Sequence, residues 1–275
     1  MAEKSDYAFQ QEAILNKKIE HIENMLPPVC SEYFSHLKLS KTPKTVYAYA
    51  TDLKLFFSFL CQDVFCIEME RINIYMLKEV TAKDISHFLI KMHNGYGDND
   101  ENGLKKYRNG DRTLNRKLSS IKSFFHYCYL YGYFPYDVSS IVEAPTKRRK
   151  NKNVIRLTEE ENEMLLNVIL YGENYSNNVV SSRQKKFAEK TRKRDYAIIV
   201  TLLGTGIRVS ELVGIDINDI NFKDMSIRVF RKGAFFDTVY FGDEVNDALL
   251  IYLDERKNIE PMAGSEQALF LSKNV

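Results

Sequence analysis

Thr205-Gly206-Ile207-Arg208-Val209-Ser210-Glu211-Leu212 is the stretch on which the reading of this chain turns. A glycine turn is followed at once by an arginine at a helix start, with a glutamate one turn further along the same face. Backbone N–H groups at a helix start favour anions, and a guanidinium there adds paired bonds to two oxygens of one phosphate. Glu211 is placed to hold the other edge of Arg208. An Arg-x-x-Glu pair taken alone is a surface ion pair worth little, so its setting carries the weight. Downstream, Ile227 and Val229, then Val239 and Phe241, alternate as two strands around Arg231-Lys232-Gly233, which puts a lone lysine at a hairpin turn. Taken alone, that lysine is one more exposed cation.

The rest of the chain supplies a basic setting for that arginine and lysine. Net charge is only +2 over 275 residues, so distribution says more than the total. Lys147, Arg148, Arg149, Lys150 and Lys152 crowd one segment, and Arg183, Lys185, Lys186, Lys190, Arg192, Lys193 and Arg194 crowd another. A single such run is as readily a solvated face as a binding surface. Two of them flanking one phosphate site point to duplex DNA as the partner. The composition, 44% hydrophobic and 28% charged, is that of a folded protein of two ordinary domains. The polar N-terminus and the lack of any membrane-length apolar run lead us to expect a cytoplasmic protein with no membrane partner. Cys30, Cys61, Cys66 and Cys128 form no C-x-x-C pair and share no ligand spacing with the histidines, so reduced thiols are expected and no metal site. Gly204-Thr205-Gly206 begins like a dinucleotide fingerprint, but the third glycine position is Val209 and the preceding segment reads as helix.

Helical periodicity organises the first half. Leu15, Ile19, Ile22 and Leu26 make one stripe, stopped by Pro27-Pro28. Thr42 caps a helix with Pro43 at its first position, whose apolar stripe runs through Val46, Ala50, Leu53, Phe57 and Leu60. Its opposite stripe, Lys44, Tyr47, Thr51, Lys54 and Ser58, is polar and basic. Thr81-x-x-Asp84 opens another helix, and residues 94–110 read as a loop. In the helix that follows, Leu114, Leu118, Ile121, Phe125 and Cys128 face inward and Gly132 supplies the stop. Arg112, Arg116, Ser119, Ser123 and His126 face outward, with Lys117 and Lys122 beside them. A helix with one cationic, hydroxyl-rich face suits a major groove. Residues 144–153 read as a basic linker, and Thr158-x-x-Glu161 caps the first helix beyond it. A polar excursion over residues 172–194 is expected to be a loop; residues 243–257 read as helix and residues 269–271 as a short strand.

The octet resembles the first catalytic box of the tyrosine recombinases, the phage-integrase family with its Xer-like members; Thr113-x-Asn115-Arg116-Lys117-Leu118 matches the N-terminal half by pattern. The resemblance implies a mainly α fold with a small antiparallel β-sheet. It would comprise an N-terminal helix (residues 1–26), a helical DNA-clamping, SAM-like core-binding domain (27–143), the linker (144–153) and a partial α+β catalytic domain (154–275). It also implies site-specific DNA recombination through a 3′-phosphotyrosine, with Arg208 and Lys232 catalytic and Glu211 behind the arginine. DNA contacts are expected from Lys44, Tyr47, Thr51, Lys54, Arg112, Arg116, Lys117, Lys122 and the linker cations. No cofactor is implied, and a full-length member would assemble as a tetramer on its site. The family's His-x-x-Arg box and nucleophilic tyrosine belong after Leu269-Phe270-Leu271-Ser272, and no such residues stand there. Every histidine lies at or before His126. The chain is therefore read as C-terminally truncated and by itself inactive in cleavage. The alternative is a non-catalytic DNA-binding remnant that regulates recombination; a helical interaction protein without a nucleic-acid role is the weaker rival. The hairpin tip, Ala234-Phe235-Phe236, also departs from the family's polar preference and is expected to expose two phenylalanines.

Overall fold

The computed structural model describes residues 6–95, 99–100, 103–104, 108–144, 156–172, 181–231 and 235–272. It divides into two compact units, one of residues 12–151 and one joining residues 1–11 to 152–275. Both are mainly helical, and a three-stranded antiparallel sheet lies in the second.

The first unit is a helical bundle. After the part of α1 (Asp6–Glu23) from Glu12 onward come α2 (Ser31–Ser40), α3 (Pro43–Phe59), a short α4 (Ile74–Lys78), α5 (Ala82–Asn94) and α6 (Asp111–Leu130). A two-residue ladder, β1 (Asn99–Asp100) with β2 (Gly103–Leu104), precedes α6. Local chemistry sets the helix starts. The Thr42 hydroxyl accepts from the Thr45 N–H, with Pro43 in the first turn where its missing donor costs nothing. Thr81 and Asp84 form a reciprocal capping box. The core is aromatic. Phe56 packs edge-on against Phe57, Phe88 and Phe125, while Phe124 meets Tyr33 at 5.3 Å and Phe57 at 5.6 Å. Such edge-to-face pairs add to plain area burial because ring edges and faces carry opposite partial charge. The Tyr33 hydroxyl, buried among them, donates to Ser123 Oγ at 3.0 Å. That bond turns Ser123 inward, against its expected place on the outer face.

In the second unit, α7 (Glu159–Tyr171) opens on the Thr158–Glu161 capping box and α8 (Ser182–Thr205) runs for 24 residues. The excursion expected as loop is therefore helical from Ser182 onward; residues 173–180 lie outside the described residues. The missed signal is Ser181-x-x-Gln184, a capping box in which each residue satisfies the other's backbone N–H. Gly204 lies near the end of α8, and a Cβ there would meet Val245 Cγ2 at 2.6 Å. The missing side chain lets α8 pack directly on α10 (Asp243–Arg256). Gly206 then takes the left-handed φ of 64° that closes α8 and turns the chain into α9 (Val209–Leu212).

The sheet has the order β3 (Ile220–Asn221), β4 (Ser226–Arg231), β5 (Phe235–Tyr240). Ile227 faces Val239, and Ile227 and Val229 are fully buried while Arg228 between them is not, the period-two alternation of a half-buried strand. Residues 269–271 form no strand. Instead Asp216 and Ala268 make a single bridge, and the segment is held by Tyr252 Oη accepting from the Leu271 N–H and by Arg194 and Arg256 donating to its carbonyls. Phe235 is 54% exposed as expected, but Phe236 is not. It packs edge-on against Phe230 at 5.2 Å and under the Arg228 guanidinium at 4.6 Å.

Candidate active site

Arg208 sits between the Gly206 turn and α9, in extended backbone conformation. Because α9 is a single turn and Glu211 Oε2 already accepts the Arg208 N–H at 2.9 Å, the helix start does not present that N–H to an anion. The guanidinium is another matter. Its Nη1 donates to Glu211 Oε1 at 2.8 Å, and the side chain is 67% exposed. Nε and Nη2 meet no acceptor among the described residues, so the edge that makes paired bonds to a phosphate faces outward.

Glu211 is almost completely buried, yet it serves a second arginine that sequence reading passed over. Arg231, the last residue of β4, donates from Nη1 to Glu211 Oε2 at 2.7 Å and from Nε to Asp237 Oδ2 at 3.0 Å. One carboxylate thus ties α9 to the strand that leads into Lys232. The available signal was adjacency to Lys232; no periodicity marks Arg231. Lys232 itself lies outside the described residues, as do Lys147, Arg148, Arg149, Lys150 and Lys152.

Burial would push the Glu211 carboxyl upward, but the Arg208 N–H and guanidinium and the Arg231 charge outweigh it and hold the group below its ordinary value of 4.5. A carboxyl lowered in the folded state contributes stability that is present above its unfolded pKa and is lost as pH falls through the folded one. Thermal melts from pH 7 down to pH 3 should therefore show a loss of stability that begins below about 4.5. Glu211→Gln should remove that component and cost roughly 1–3 kcal/mol at neutral pH, by leaving charged donors with half their acceptor. Melting curves of the two proteins that stay parallel across the series would contradict this role.

In the first unit the expected DNA face is partly redistributed. Lys44, Arg112 and Arg116 are exposed, and Tyr47, Thr51, Lys54 and Lys122 are half-buried. Thr51 Oγ1 donates to its own helix at Tyr47 O, Lys54 Nζ lies 3.0 Å from Met25 Sδ, and Lys122 Nζ donates to Ser140 O. Lys117 is a correction. Its side chain is 3% exposed and its Nζ lies 3.2 Å from Asp52 Oδ1, because α6 turns that position into the α3 contact instead of toward solvent.

The phage integrase family matches residues 156–275, and the phage integrase N-terminal SAM-like domain matches residues 30–132. The tyrosine recombinase XerS of Streptococcus agalactiae serotype III (strain NEM316) is 29% identical over 277 residues, covering 94% of this chain and 76% of the relative. Among solved structures, the Tn1549 transposon integrase in complex with circular intermediate DNA aligns with a TM-score of 0.56 at 22% identity, over 90% of this chain and 72% of that one. The XerH site-specific recombinase bound to palindromic difH substrate aligns with a TM-score of 0.52 at 19% identity, over 84% and 57%. These structures share the fold. With two domain matches in family order, the chain belongs to the phage-integrase family, the tyrosine recombinases.

Proposed function

We propose that this chain acts in site-specific DNA recombination in the cytoplasm, gripping duplex DNA with both units and presenting Arg208 to the phosphate that is broken and rejoined. The observation that carries the reading is the exposed guanidinium of Arg208, held at Nη1 by buried Glu211, with no acceptor among the described residues on its phosphate-binding edge. A donor fixed before substrate arrives needs no reorganisation as charge builds on the phosphoryl oxygens. Lys232, three residues before β5, is proposed as the acid that protonates the leaving 5′ oxygen, with a tyrosine as nucleophile in the family's chemistry. A tetramer on the recombination site is the proposed working assembly.

The test begins with binding. If about six phosphates are neutralised, log K for a duplex should fall with log[salt] at a slope of roughly −5. Neutralising Lys147, Arg148, Arg149 and Lys150 together should flatten that slope. Affinity that ignores salt, or a slope untouched by the fourfold change, counts against a clamp built on phosphate contacts. Duplex binding that persists without strand cleavage in a chain supplied with a tyrosine nucleophile would favour the regulatory, non-catalytic reading instead.

A further inference from the structure

The arrangement around Arg208 has a counterpart in the first unit, built from unrelated residues. Asp52 on α3 is completely buried, a carboxylate inside a helical bundle whose neighbouring core is aromatic. Three groups of α6 converge on it. Arg116 Nη1 donates to Oδ2 at 2.5 Å, Ser120 Oγ to the same oxygen at 3.0 Å, and Lys117 Nζ to Oδ1 at 3.2 Å. Arg116 Nη1 also reaches Ala48 O at 3.3 Å. The two cations have different fates. Lys117 is sealed in with the carboxylate, whereas the Arg116 side chain is 44% exposed.

Charge and geometry then agree. Asp52 and Lys117 cancel inside the bundle, so the positive charge of Arg116 is left over at the surface. Its Nη1 is occupied, and Nε and Nη2 meet no acceptor among the described residues, which is the condition of Arg208 at Glu211. For holding helices together alone, a buried ion pair is an inefficient device, since apolar residues of similar volume do as well or better. A lone Asp52–Lys117 pair would also leave Arg116 free to swing. Bonding it to both Asp52 and Ala48 holds the side chain in one place at a cost in side-chain entropy.

We propose that Asp52 is a positioning residue for DNA recognition: it fixes Arg116 with the Nε–Nη2 edge outward to take two oxygens of one backbone phosphate, while Lys117 neutralises Asp52 so that the arginine keeps its full charge. The proposal rests on the duplex-binding function above and adds the residue that makes one of its contacts rigid. Phosphate is the ligand assigned to the two parallel donors of the free edge; a guanine O6–N7 edge, which would also accept both, would make the effect depend on duplex sequence.

A double-mutant cycle in duplex affinity tests it. Asp52→Asn with Lys117→Met removes one negative and one positive charge together, so net charge is unchanged and no buried charge is stranded. With Arg116 present this exchange should weaken duplex binding about tenfold, the equivalent of ~1.4 kcal/mol. With Arg116→Ala already in place, which by itself should lower the salt slope by about one, the exchange should change affinity by less than about twofold. Equal losses in the two backgrounds, or no loss in either, overturn the proposal. Arg116→Lys, at a part-exposed position that leaves the buried pair alone, gives a second readout independent of how well the exchanged pair folds. It should weaken binding several-fold at unchanged salt slope, because a point charge cannot bond Asp52 and two phosphate oxygens at once; a lysine as good as the arginine also overturns it. Absence of any duplex binding by the unsubstituted chain would instead overturn the function on which the proposal rests.

Discussion

Arg208→Ala should lower the rate of DNA strand cleavage by roughly 10²–10³-fold while leaving duplex affinity within a few-fold. The asymmetry follows from when the interaction is made. In the role proposed for Arg208, one phosphate contact among several contributes modestly to binding but strengthens as charge accumulates on the phosphoryl oxygens, and only such differential interactions raise the rate. Glu211 fixes the guanidinium through Nη1 before DNA arrives, so none of its effect is spent on ordering the side chain. Arg208→Lys should lose nearly as much, since an ammonium cannot bond Glu211 and two phosphate oxygens in one plane. The measurement is single-turnover cleavage of a nicked duplex by a reading frame that carries a nucleophilic tyrosine, with anisotropy on the same duplex. A fall in rate that merely tracks a fall in affinity would show that Arg208 binds substrate without favouring the transition state.

The largest effect on the fold should come from the first unit. Phe124→Ala should cost about 3–5 kcal/mol, a large fraction of the roughly 5–15 kcal/mol that holds an ordinary domain together. Phe124 is fully buried and meets Tyr33 of α2, Phe57 of α3 and its own neighbour Phe125, so the space it leaves is walled by three helices that are pinned elsewhere. Relaxation into the cavity would have to move Tyr33 off its bond to Ser123. Urea unfolding followed by circular dichroism should show an early transition for this variant, and hydrogen exchange should assign it to residues of α2, α3 and α6. A midpoint within error of the unsubstituted chain would mean that the aromatic cluster repacks freely.

Local signals carried much of this structure. Thr42, Thr81 and Thr158 mark helix starts because a capping hydroxyl and its partner sit within one turn, so the chemistry is complete in four residues. The β4–β5 hairpin was legible from its alternation, and the octet around Arg208 from its order alone. The failures have a common form. Residues 182–194 carry so much charge that composition argued for a loop, yet α8 continues through them from a Ser181 cap, with Thr191 and Ala197 buried along its inner side. Residues 269–271 read as a short apolar strand, but their neighbours are Ile215, Tyr252 and Arg194, and a single bridge suffices. Asp52 had a signal that went unread: it falls at helical spacing with Tyr49, Phe56 and Phe59, a lone acid in an apolar stripe.

By itself the sequence determined where most helices begin, where the chain turns at Gly206, and the family to which Arg208 and Glu211 point, because each depends on residues within a few positions of one another. Only the tertiary structure decided which charges are spent and which are free. Lys117 and Arg116 are neighbours in sequence, and a carboxylate 64 and 65 residues away buries one and aims the other. Arg231 looks like one more cation on a strand until Glu211, 20 residues earlier, takes its proton-bearing edge and leaves Arg208 facing out. A charge is fixed by the partner that meets it across the fold, and the order of residues along the chain does not say which partner that will be.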